Sequence, residues 1–402
     1  MTRSRTAQNG VLVLGGGFAG AYVARLLGRR GATIVSPENF MLYTPMLAEA
    51  ASGTLEPRHV VVPLRMMCPH AELLLGRAVS LDEASRTVAV ATDAGSFAVA
   101  YEQLVLAIGS VPRTLPIPGL AEHGLGFKNF ADAIHLRNHV LRELEAADVE
   151  LVASRAERHL TFVFVGAGYA GVEALAELSD LVRDALRYYP RLRGTRQRWV
   201  LVDAAPTILP GIPTRLGEYA ARQLTGRGID IRVGTTLESV EADSLILSDG
   251  SRLETHTLVW TAGVRAHPLL AELGLPLDER GRVVVDKYLH VEGRTNVWAL
   301  GDCAHVPNAA TPDHPDPPTS QHALRLRGFL GWFATRTYHL YQLPLASRKL
   351  RVVTDWTVSL CFRRDIAELS MLGHARGLSR EGREAASTIP VAPGTRGREG
   401  VD

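Results

Sequence analysis

The chain has 402 residues, of which 46% are hydrophobic and 21% are charged, and its formal net charge is +2. This length exceeds one ordinary hydrophobic core and predicts several domains, and the small net charge gives no indication of a general affinity for nucleic acid. The three cysteines form no CxxC and the 14 histidines show no ligand spacing, so we expect neither a disulfide framework nor a metal site.

A strand, a glycine turn, a helix and a second strand are predicted between residues 10 and 35. The apolar run VLVLGGG ends in glycines, AYVARLLGRR has helical spacing, and ATIVS is strand-like. Residues 86–108 then look like a meander of TVAVAT, SFAVA and LVLAIG, and the last of these is an apolar strand that ends in glycine.

The same unit occurs again from about residue 160 to about residue 265. LTFVFVGAGYAG repeats the strand and the glycine turn, a helix is predicted from Val172, and WVLVDA is the next strand. Short strands follow over residues 231–260, where Asp249-Gly250 is a strong hairpin signal. Residues 283–300 contain two more strands, VVVD and VWAL, which return to the first copy.

The second copy therefore lies inside the first, and the predicted fold is α/β with two nested Rossmann-like dinucleotide-binding domains. After them, residues 319–342 look helical, residues 350–370 look like a strand or short amphipathic helices, and the tail from Gly373 is predicted to be disordered. We predict an outer domain at 10–118 and 266–318, an inserted domain at 119–265, a C-terminal region at 319–372 and a tail at 373–402.

Two GxGxxG motifs stand between a predicted strand and a predicted helix: Gly15, Gly17 and Gly20, and Gly166, Gly168 and Gly171. The first glycine of such a motif allows the tight turn, the second lets a pyrophosphate approach the backbone, and the third lets helix and strand pack closely. The pyrophosphate would lie at the helix N-terminus, where free N–H groups and the helix dipole attract anions. The sequence therefore predicts two bound dinucleotides.

A carboxylate at the end of the strand after each motif is expected to bind the ribose hydroxyls. Asp203 ends WVLVD, and a carboxylate there repels a 2′-phosphate, which favours NADH over NADPH. Its separation from Gly166 is longer than usual, which we attribute to an extended helix and loop. In the first unit Ser36 occupies the expected position and Glu38 follows, so either residue is a candidate.

With these motifs the chain resembles the two-dinucleotide flavoprotein superfamily and, within it, the type II NADH dehydrogenases, which are non-pumping NADH:quinone oxidoreductases. YEQLVLAIGS and TLVWTAGV resemble the strand-to-glycine crossovers of the superfamily, and TNVWALGDCA resembles its late FAD motif. Three segments resemble the dehydrogenases themselves: FMLYTPMLAEAASGTLEPRHVVVPLR, GAGYAGVEALAEL and, on the quinone side, PPTSQHALRLRG. The resemblance covers roughly residues 10–370.

The resemblance implies an enzyme that transfers hydride from NADH to FAD and two electrons on to a membrane quinone, menaquinone or ubiquinone. Tyr43 lines the flavin on this interpretation, but it could equally be a core aromatic residue. The residues implied for FAD are Gly15, Gly17, Phe18, Ala19, Gly20, Ser36, Glu38, Tyr43, Thr44, Ala107, Gly109, Gly301 and Asp302. Those implied for NADH are Gly166, Gly168, Tyr169, Gly171, Glu173, Asp203, Ala262 and Gly263.

Glu173 and Gln321 are the candidate catalytic residues. Glu173 matches a family glutamate that contacts the nicotinamide or handles a proton, although an acidic residue also suits a helix N-terminus. Gln321 is expected near the flavin and the quinone, where a neutral side chain avoids the desolvation cost of a charge, or it is a polar residue at a helix N-terminus. A second family glutamine, near Leu326, is missing, and Glu177 is interpreted as an ordinary surface or packing residue.

Two C-terminal segments are candidates for a membrane surface. Residues 347–364 combine Trp356, Leu360 and Phe362 with five basic residues, which favours contact with an anionic membrane. The aromatic residues of 324–343 favour a helix packed on the FAD domain, and a homodimer interface would look the same. No run of 18 uncharged apolar residues occurs, so we expect a cytoplasmic protein on the inner face of the membrane.

Two other functions are compatible with the same motifs. One is a soluble FAD-dependent NAD(P)H reductase that serves a protein acceptor such as a ferredoxin. The other is a redox sensor that binds FAD and NADH but hardly turns over. The missing second glutamine leaves both functions open, because it concerns the acceptor and not the flavin chemistry.

Overall fold

A computed structural model of the chain describes residues 3–307 and 328–368. Gln321, nearly all of PPTSQHALRLRG and the tail from Gly373 lie outside these residues, so what was predicted for them stays a prediction. The chain up to Ile366 forms one compact unit that contains two parallel five-stranded sheets. This arrangement confirms the predicted α/β class with one dinucleotide-binding fold inside another.

The outer sheet contains strands from both sides of the inserted segment, and all of its strands run parallel. Across the sheet the order is Val297–Ala299, Gln103–Leu106, Val11–Leu14, Thr33–Ser36 and Glu72–Leu75. The middle strand is apolar on both faces, and Leu12 and Val13 are fully buried because both faces of the sheet are covered. The first glycine motif follows the carboxyl end of this strand.

The inserted sheet repeats this plan, again with parallel strands. Its order is Gly124–Gly126, Thr257–Trp260, Thr161–Val165, Arg198–Asp203 and Ile229–Val233. Phe162 and Phe164 lie on the middle strand and are fully buried. The second glycine motif follows this middle strand, so both motifs lie at the carboxyl edge of a parallel sheet, where such folds bind their ligands.

Two helices begin directly after the second glycine of each motif: Phe18–Leu27, the first glycine helix, and Tyr169–Ala185, the second glycine helix. The second begins before the predicted Val172, because Gly168 is extended and already serves as its N-terminal cap residue. Two short 3-10 turns then precede strand Arg198–Asp203, which accounts for the long separation between Gly166 and Asp203. The other α-helices are Leu47–Ala51, Leu64–Met67, Leu120–His123, Phe130–Val149, Ala153–His159, Thr214–Gly226, Leu269–Glu272, Gly328–Gln342 and Ala346–Cys361.

The predicted meander is divided between two sheets. TVAVAT and SFAVA belong to a four-stranded sheet whose order is Arg3–Thr6, Gly95–Ala100, Thr87–Thr92 and Arg77–Asp82. LVLAIG instead contributes its strand to the outer sheet, because Leu104 and Leu106 are fully buried there. The remaining strands are Phe40–Leu42, Val61–Pro63, Ser110–Pro112, Leu237–Val240, Ser244–Leu247, Arg252–Glu254, Val264–Ala266, Val283–Val284 and Ala304–His305. The turn at Asp249-Gly250 joins two antiparallel strands, as predicted.

Helices Gly328–Gln342 and Ala346–Cys361 form the C-terminal pair of the described fold. Helix Ala346–Cys361 overlaps the segment 350–370, for which the sequence predicted either a strand or short amphipathic helices. Leu343 and Val352 pack into the core of the outer domain, whereas many aromatic and aliphatic side chains of the pair are exposed. In the part of the chain that the structure describes, no helix is long and apolar enough to cross a membrane.

Candidate active site

The first glycine of each motif has a backbone conformation that residues with a side chain rarely adopt. Gly15 has a φ of +111° and Gly166 a φ of +112°. An added Cβ would lie 2.1 Å from the carbonyl oxygen of Ala107 at Gly15, and 2.5 Å from the carbonyl carbon of Thr261 at Gly166. Each turn therefore packs against the residue that follows a neighbouring strand of its own sheet. These strands are Gln103–Leu106 in the outer sheet and Thr257–Trp260 in the inserted sheet, and we call them the crossover strands.

The third glycine of each motif lets the helix lie directly on the turn. An added Cβ on Gly20 would lie 1.9 Å from the carbonyl oxygen of Gly15, and one on Gly171 would lie 1.9 Å from that of Gly166. Both distances are far inside van der Waals contact, so no larger residue fits without moving the backbone. The two motifs are thus equivalent in geometry as well as in sequence.

The middle glycines face open space. No described atom lies within 4 Å of an added Cβ on Gly17 or Gly168. Both residues cap their helices with extended backbone, and no side chain caps either helix in the described structure. The N–H groups of the first turns, which include Phe18, Ala19 and Tyr169, are therefore open to an anionic ligand.

A cavity of about 1100 Å³ opens beside the first motif. Pockets for drug-sized ligands measure about 300–1,000 Å³, so a larger ligand can enter here. Its wall includes six of the residues predicted for FAD, namely Gly15, Gly17, Ser36, Glu38, Ala107 and Gly109. The structure thus brings these six residues together from three separate segments of the outer domain.

Ser36 and Glu38 both line this cavity, but Ser36 is buried and Glu38 is exposed. Ser36 is only 3% exposed, and its hydroxyl oxygen accepts a hydrogen bond of 3.3 Å from the backbone N–H of Glu38. An added Cβ on Gly16 would lie 2.5 Å from Ser36 Oγ, so the serine is held tightly under the turn. Glu38 is exposed beside this cavity, and its side chain is the one of the two candidates that carries a carboxylate.

The late motif lies against the first glycine helix. Gly301 has a φ of +77°, and an added Cβ would lie 3.2 Å from the Cβ of Ala19. Asp302 Oδ2 accepts a hydrogen bond of 2.6 Å from Ser110 Oγ, and the ammonium nitrogen of Lys128 lies 3.6 Å from the same oxygen. Sequence reasoning missed Lys128, because it lies between the two glycine units and outside every motif.

Asp203 is anchored beneath the second glycine turn. Its carboxylate accepts hydrogen bonds from the backbone N–H groups of Ala167 and of Ala205, the latter at 2.7 Å. Ala262 and Gly263 follow the crossover strand on the other side of this turn, and Gly263 has a φ of +94°. The carboxylate is thus fixed in the loop next to the predicted NADH site.

Tyr43 lies in the core of the outer domain. It is 2% exposed, and its hydroxyl donates a hydrogen bond of 3.1 Å to the backbone carbonyl of His339. Burial, followed by the neighbouring Tyr22 and Tyr338, raises its pKa to about 12. Tyr43 is therefore a buried aromatic residue, whereas the adjacent Thr44 is exposed, and the predicted contacts of both residues with the flavin stay predictions.

Glu173 lies in the second turn of the second glycine helix, one helical turn before Glu177. Its side chain is open to solvent, but the protein around its carboxyl group and the carboxylates of Glu49 and Glu177 raise its pKa to about 7. Surrounding protein is the largest cause, because it disfavours the ionised form. Glu173 therefore exchanges a proton near neutral pH.

Glu49, on helix Leu47–Ala51, is held by both C-terminal helices. Arg336 Nη2 lies 3.1 Å from Glu49 Oε1, and the indole N–H of Trp356 donates a hydrogen bond of 2.6 Å to Oε2. The guanidinium of Arg336 also stacks on Trp332 and Trp356, at 4.6 and 4.8 Å from the ring centroids. Burial raises the pKa of Glu49, and Arg336 opposes this effect.

Glu177 is a packing residue, which is one of the two roles interpreted for it from the sequence. Its Oε2 accepts hydrogen bonds from Ser52 at 2.8 Å, from Thr54 at 3.2 Å and from Arg364 at 3.1 Å. Arg364 also lies 3.2 Å from Asp184 and is 16% exposed, so it is turned inward and does not belong to the basic surface predicted for 347–364. No sequence motif signals these contacts. They join the second glycine helix, the segment after helix Leu47–Ala51 and the segment after helix Ala346–Cys361.

Comparisons with known proteins agree with this geometry. The profile of the pyridine nucleotide-disulphide oxidoreductase family matches residues 9–325. A probable NADH dehydrogenase of Dictyostelium discoideum is 29% identical over 83% of this chain and 85% of its own length. An external alternative NAD(P)H-ubiquinone oxidoreductase of Arabidopsis thaliana is 32% identical over 75% of this chain, which spans only 55% of that relative.

A type II NADH:quinone oxidoreductase of Mycobacterium tuberculosis is 31% identical over 74% of this chain and 67% of its own length. Among solved structures, NDH2 from Plasmodium falciparum in complex with NADH superposes with a TM-score of 0.80. That match covers 91% of this chain and all of the other at 15% identity, and it shows a shared fold. The chain belongs to the pyridine nucleotide-disulphide oxidoreductase family and, within it, to the type II NADH:quinone oxidoreductases.

Proposed function

We propose that the chain is an FAD-dependent enzyme that transfers hydride from NADH to FAD and two electrons on to a membrane quinone. The observation that carries this proposal is the pair of equivalent glycine turns, each with an open helix N-terminus at the carboxyl edge of a parallel sheet. The similar proteins include an NAD(P)H-ubiquinone oxidoreductase and an NADH:quinone oxidoreductase, which supports NADH and a quinone as the substrates.

FAD fits the first turn and its cavity. Gly15, Gly17 and Gly20 would hold the pyrophosphate, and Glu38 would accept hydrogen bonds from the ribose. Asp302 would bind the ribityl–pyrophosphate region, with Lys128 reducing the repulsion between that carboxylate and the phosphates. When bound, FAD supplies the two-electron chemistry that no side chain provides.

NADH fits the second turn. Gly166, Gly168 and Gly171 would receive its pyrophosphate, and Asp203 would bind the ribose and disfavour a 2′-phosphate. Ala262 and Gly263 would border the nicotinamide end, because they close the turn from the crossover strand. Glu173 would hold or release a proton at its carboxylate, and its pKa of about 7 populates both forms at neutral pH.

The quinone would reach the protein through the C-terminal helix pair. Large side chains on the outside of this pair are exposed, among them Phe329, Leu330, Phe333, Tyr338, Tyr341, Leu350, Leu360 and Phe362. Aromatic residues beside Arg351 and Arg363 suit the interface of an anionic membrane. Gln321 would then contact the quinone. A homodimer through the same helices is the competing use of this surface.

Steady-state oxidation of NADH by the FAD-loaded protein tests the proposal. We expect turnover that depends on a soluble menaquinone or ubiquinone analogue, with NADH preferred to NADPH. Sedimentation with anionic and neutral vesicles tests the membrane surface, and Phe329→Ser with Leu360→Ser should weaken binding to the vesicles. If NADH reduces the flavin but no quinone is reduced, the acceptor is a protein or the chain is a sensor.

A further inference from the structure

The C-terminal region of the described fold ends in a short segment, residues 362–366, that returns to the second glycine helix. We call these residues the return segment. Arg137, on helix Phe130–Val149, is 7% exposed and donates a hydrogen bond to the backbone carbonyl of Asp365. Gly53 has a φ of +75° and leaves room for Arg137, because an added Cβ would lie 2.7 Å from Arg137 Nη1. The return segment is therefore held by a buried contact.

This contact places Arg364 next to Glu177 and Asp184 of the second glycine helix. Its guanidinium donates to Thr54 at 3.0 Å, to Glu177 at 3.1 Å and to Asp184 at 3.2 Å. A planar guanidinium that contacts three partners at once holds a defined position, which a lysine cannot reproduce. Arg364 thus partly compensates the charge of Glu177, which lies one helical turn away from Glu173.

Several other charged groups on this helix and on the elements packed against it have partners within the described residues, whereas Asp148 Oδ1, on helix Phe130–Val149, is buried without a hydrogen-bond partner. Arg227 and Arg183 bind Asp180 on the second glycine helix itself. Asp203, on the neighbouring strand, is held by backbone N–H groups, and Glu49, on helix Leu47–Ala51, is held by Arg336. The charges that act on Glu173 are those of Glu49 and Glu177. Of these two, Glu177 is the one whose cation comes from the return segment.

We propose that Arg364 is a positioning residue for Glu173: by partly compensating the charge of Glu177, the docked return segment favours the ionised form of Glu173. This inference rests on the proposed function of Glu173 in proton handling. Glu177 keeps its hydrogen bonds from Ser52 and Thr54 when Arg364 is absent, so its charge stays and is uncompensated. That charge repels the ionised form of Glu173, and undocking of the return segment therefore favours protonated Glu173.

The test is a pH titration of Glu173 by infrared difference spectroscopy on the FAD-loaded full chain. The carboxyl band that disappears in Glu173→Gln belongs to Glu173. From the wild-type pKa of about 7, Arg364→Gln should move the midpoint upward by roughly half a unit to one unit, less than the 1–3 units of a directly adjacent charge. Glu177→Gln should move it downward.

The double variant that carries both Arg364→Gln and Glu177→Gln tests whether the two charges offset each other at Glu173. If the positive charge of Arg364 offsets the negative charge of Glu177 at Glu173, the opposite shifts of Arg364→Gln and Glu177→Gln should compensate, and the double variant should have a midpoint close to that of the native protein. Arg183→Gln is the matched control, because it removes one positive charge from the same helix and should leave the midpoint unchanged. The pH profile of NADH oxidation should shift with the infrared midpoint in each active variant.

The inference is overturned if Arg364→Gln leaves the midpoint of Glu173 unchanged, or if the double variant keeps the full downward shift of Glu177→Gln. If Arg364→Gln does not fold, Glu177→Gln still decides, since an unchanged midpoint in that variant removes the link between the two glutamates. The infrared titration requires no turnover. Absence of quinone reduction with a shifted midpoint would therefore reject the proposed function while keeping the inference.

Discussion

The hydroxyl of Tyr43 donates a hydrogen bond to the backbone carbonyl of His339, which joins the core of the outer domain to helix Gly328–Gln342. Tyr43→Phe removes this bond and should lower the free energy of unfolding by about 1 kcal/mol. The visible spectrum of bound flavin should not change, because Tyr43 lies in the core. Chemical unfolding together with the flavin spectrum checks both points. A shifted spectrum at unchanged stability would mean that Tyr43 contacts the flavin.

Gly168→Ala and Gly171→Ala should separate ligand binding from packing. The Gly171 Cβ would meet the carbonyl oxygen of Gly166, so Gly171→Ala should destabilise the inserted domain by several kcal/mol. The Gly168 Cβ meets open space, so Gly168→Ala should fold normally and bind NADH about tenfold more weakly, at a cost of about 1.4 kcal/mol. Thermal unfolding and NADH titration measure the two effects. Equal stability of the two variants would contradict the packing role of Gly171.

Asp203→Asn should reduce the preference for NADH. The amide keeps one acceptor for the backbone N–H groups of Ala167 or Ala205 but lacks the charge that repels a 2′-phosphate. We expect the ratio of kcat/KM for NADH to that for NADPH to fall about tenfold, which corresponds to about 1.4 kcal/mol. Asp230→Asn, on the neighbouring strand, serves as the control with unchanged preference. A ratio that does not move would place the discrimination elsewhere.

Glu173→Gln should change stability in a pH-dependent way. Folding raises the pKa of Glu173 from 4.5 to about 7, so the folded protein keeps a proton that the unfolded chain releases. This contribution is complete below pH 4.5 and is lost as the pH rises through 7. Glutamine loses no proton, so the variant should be more stable than the native protein at pH 8, by about 1 kcal/mol for a side chain open to solvent. At pH 5 the two proteins should unfold alike, and a pH-independent difference would contradict the raised pKa.

Lys128→Ala should weaken FAD binding. The ammonium group lies 3.6 Å from Asp302 Oδ2 and 3.1 Å from Ser110 Oγ, on the wall of the cavity. Without it, the carboxylate would repel the phosphates of FAD, and we expect about a tenfold increase in the Kd, or about 1.4 kcal/mol. Lys287→Ala, which removes an exposed ammonium group outside that wall, should bind FAD normally. Fluorescence titration of the apoprotein compares the variants.

The glycine turns could be predicted from the sequence because their geometry is local. Gly15, Gly17 and Gly20 need only the strand before them and the helix after them, and the same holds for the second motif. Asp203 could be predicted for the same reason, since it ends the next strand. The sequence could not decide between Ser36 and Glu38 as the ribose ligand, because the burial of Ser36 against Gly16 depends on packing.

The acidic group around Glu173 could not be predicted, because it is assembled by packing. Glu49, Glu177, Arg336 and Arg364 come from four elements, and no spacing in the chain relates them. The sequence therefore left open whether Glu177 is a surface residue or a packing residue. Helix Ala346–Cys361 was ambiguous because Val352, Val353, Thr354 and Thr357 favour strands locally, while burial of Val352 selects the helix.

The nested strand order also fixes the sequence in which the chain can fold as it leaves the ribosome. All five strands of the inserted sheet are available once residue 260 has been made. The outer sheet lacks its edge strand until Val297–Ala299 emerges and pairs with Gln103–Leu106. The nascent chain must therefore keep that pairing edge free while the second domain forms, and an interruption of synthesis between these points leaves an open sheet edge that invites aggregation.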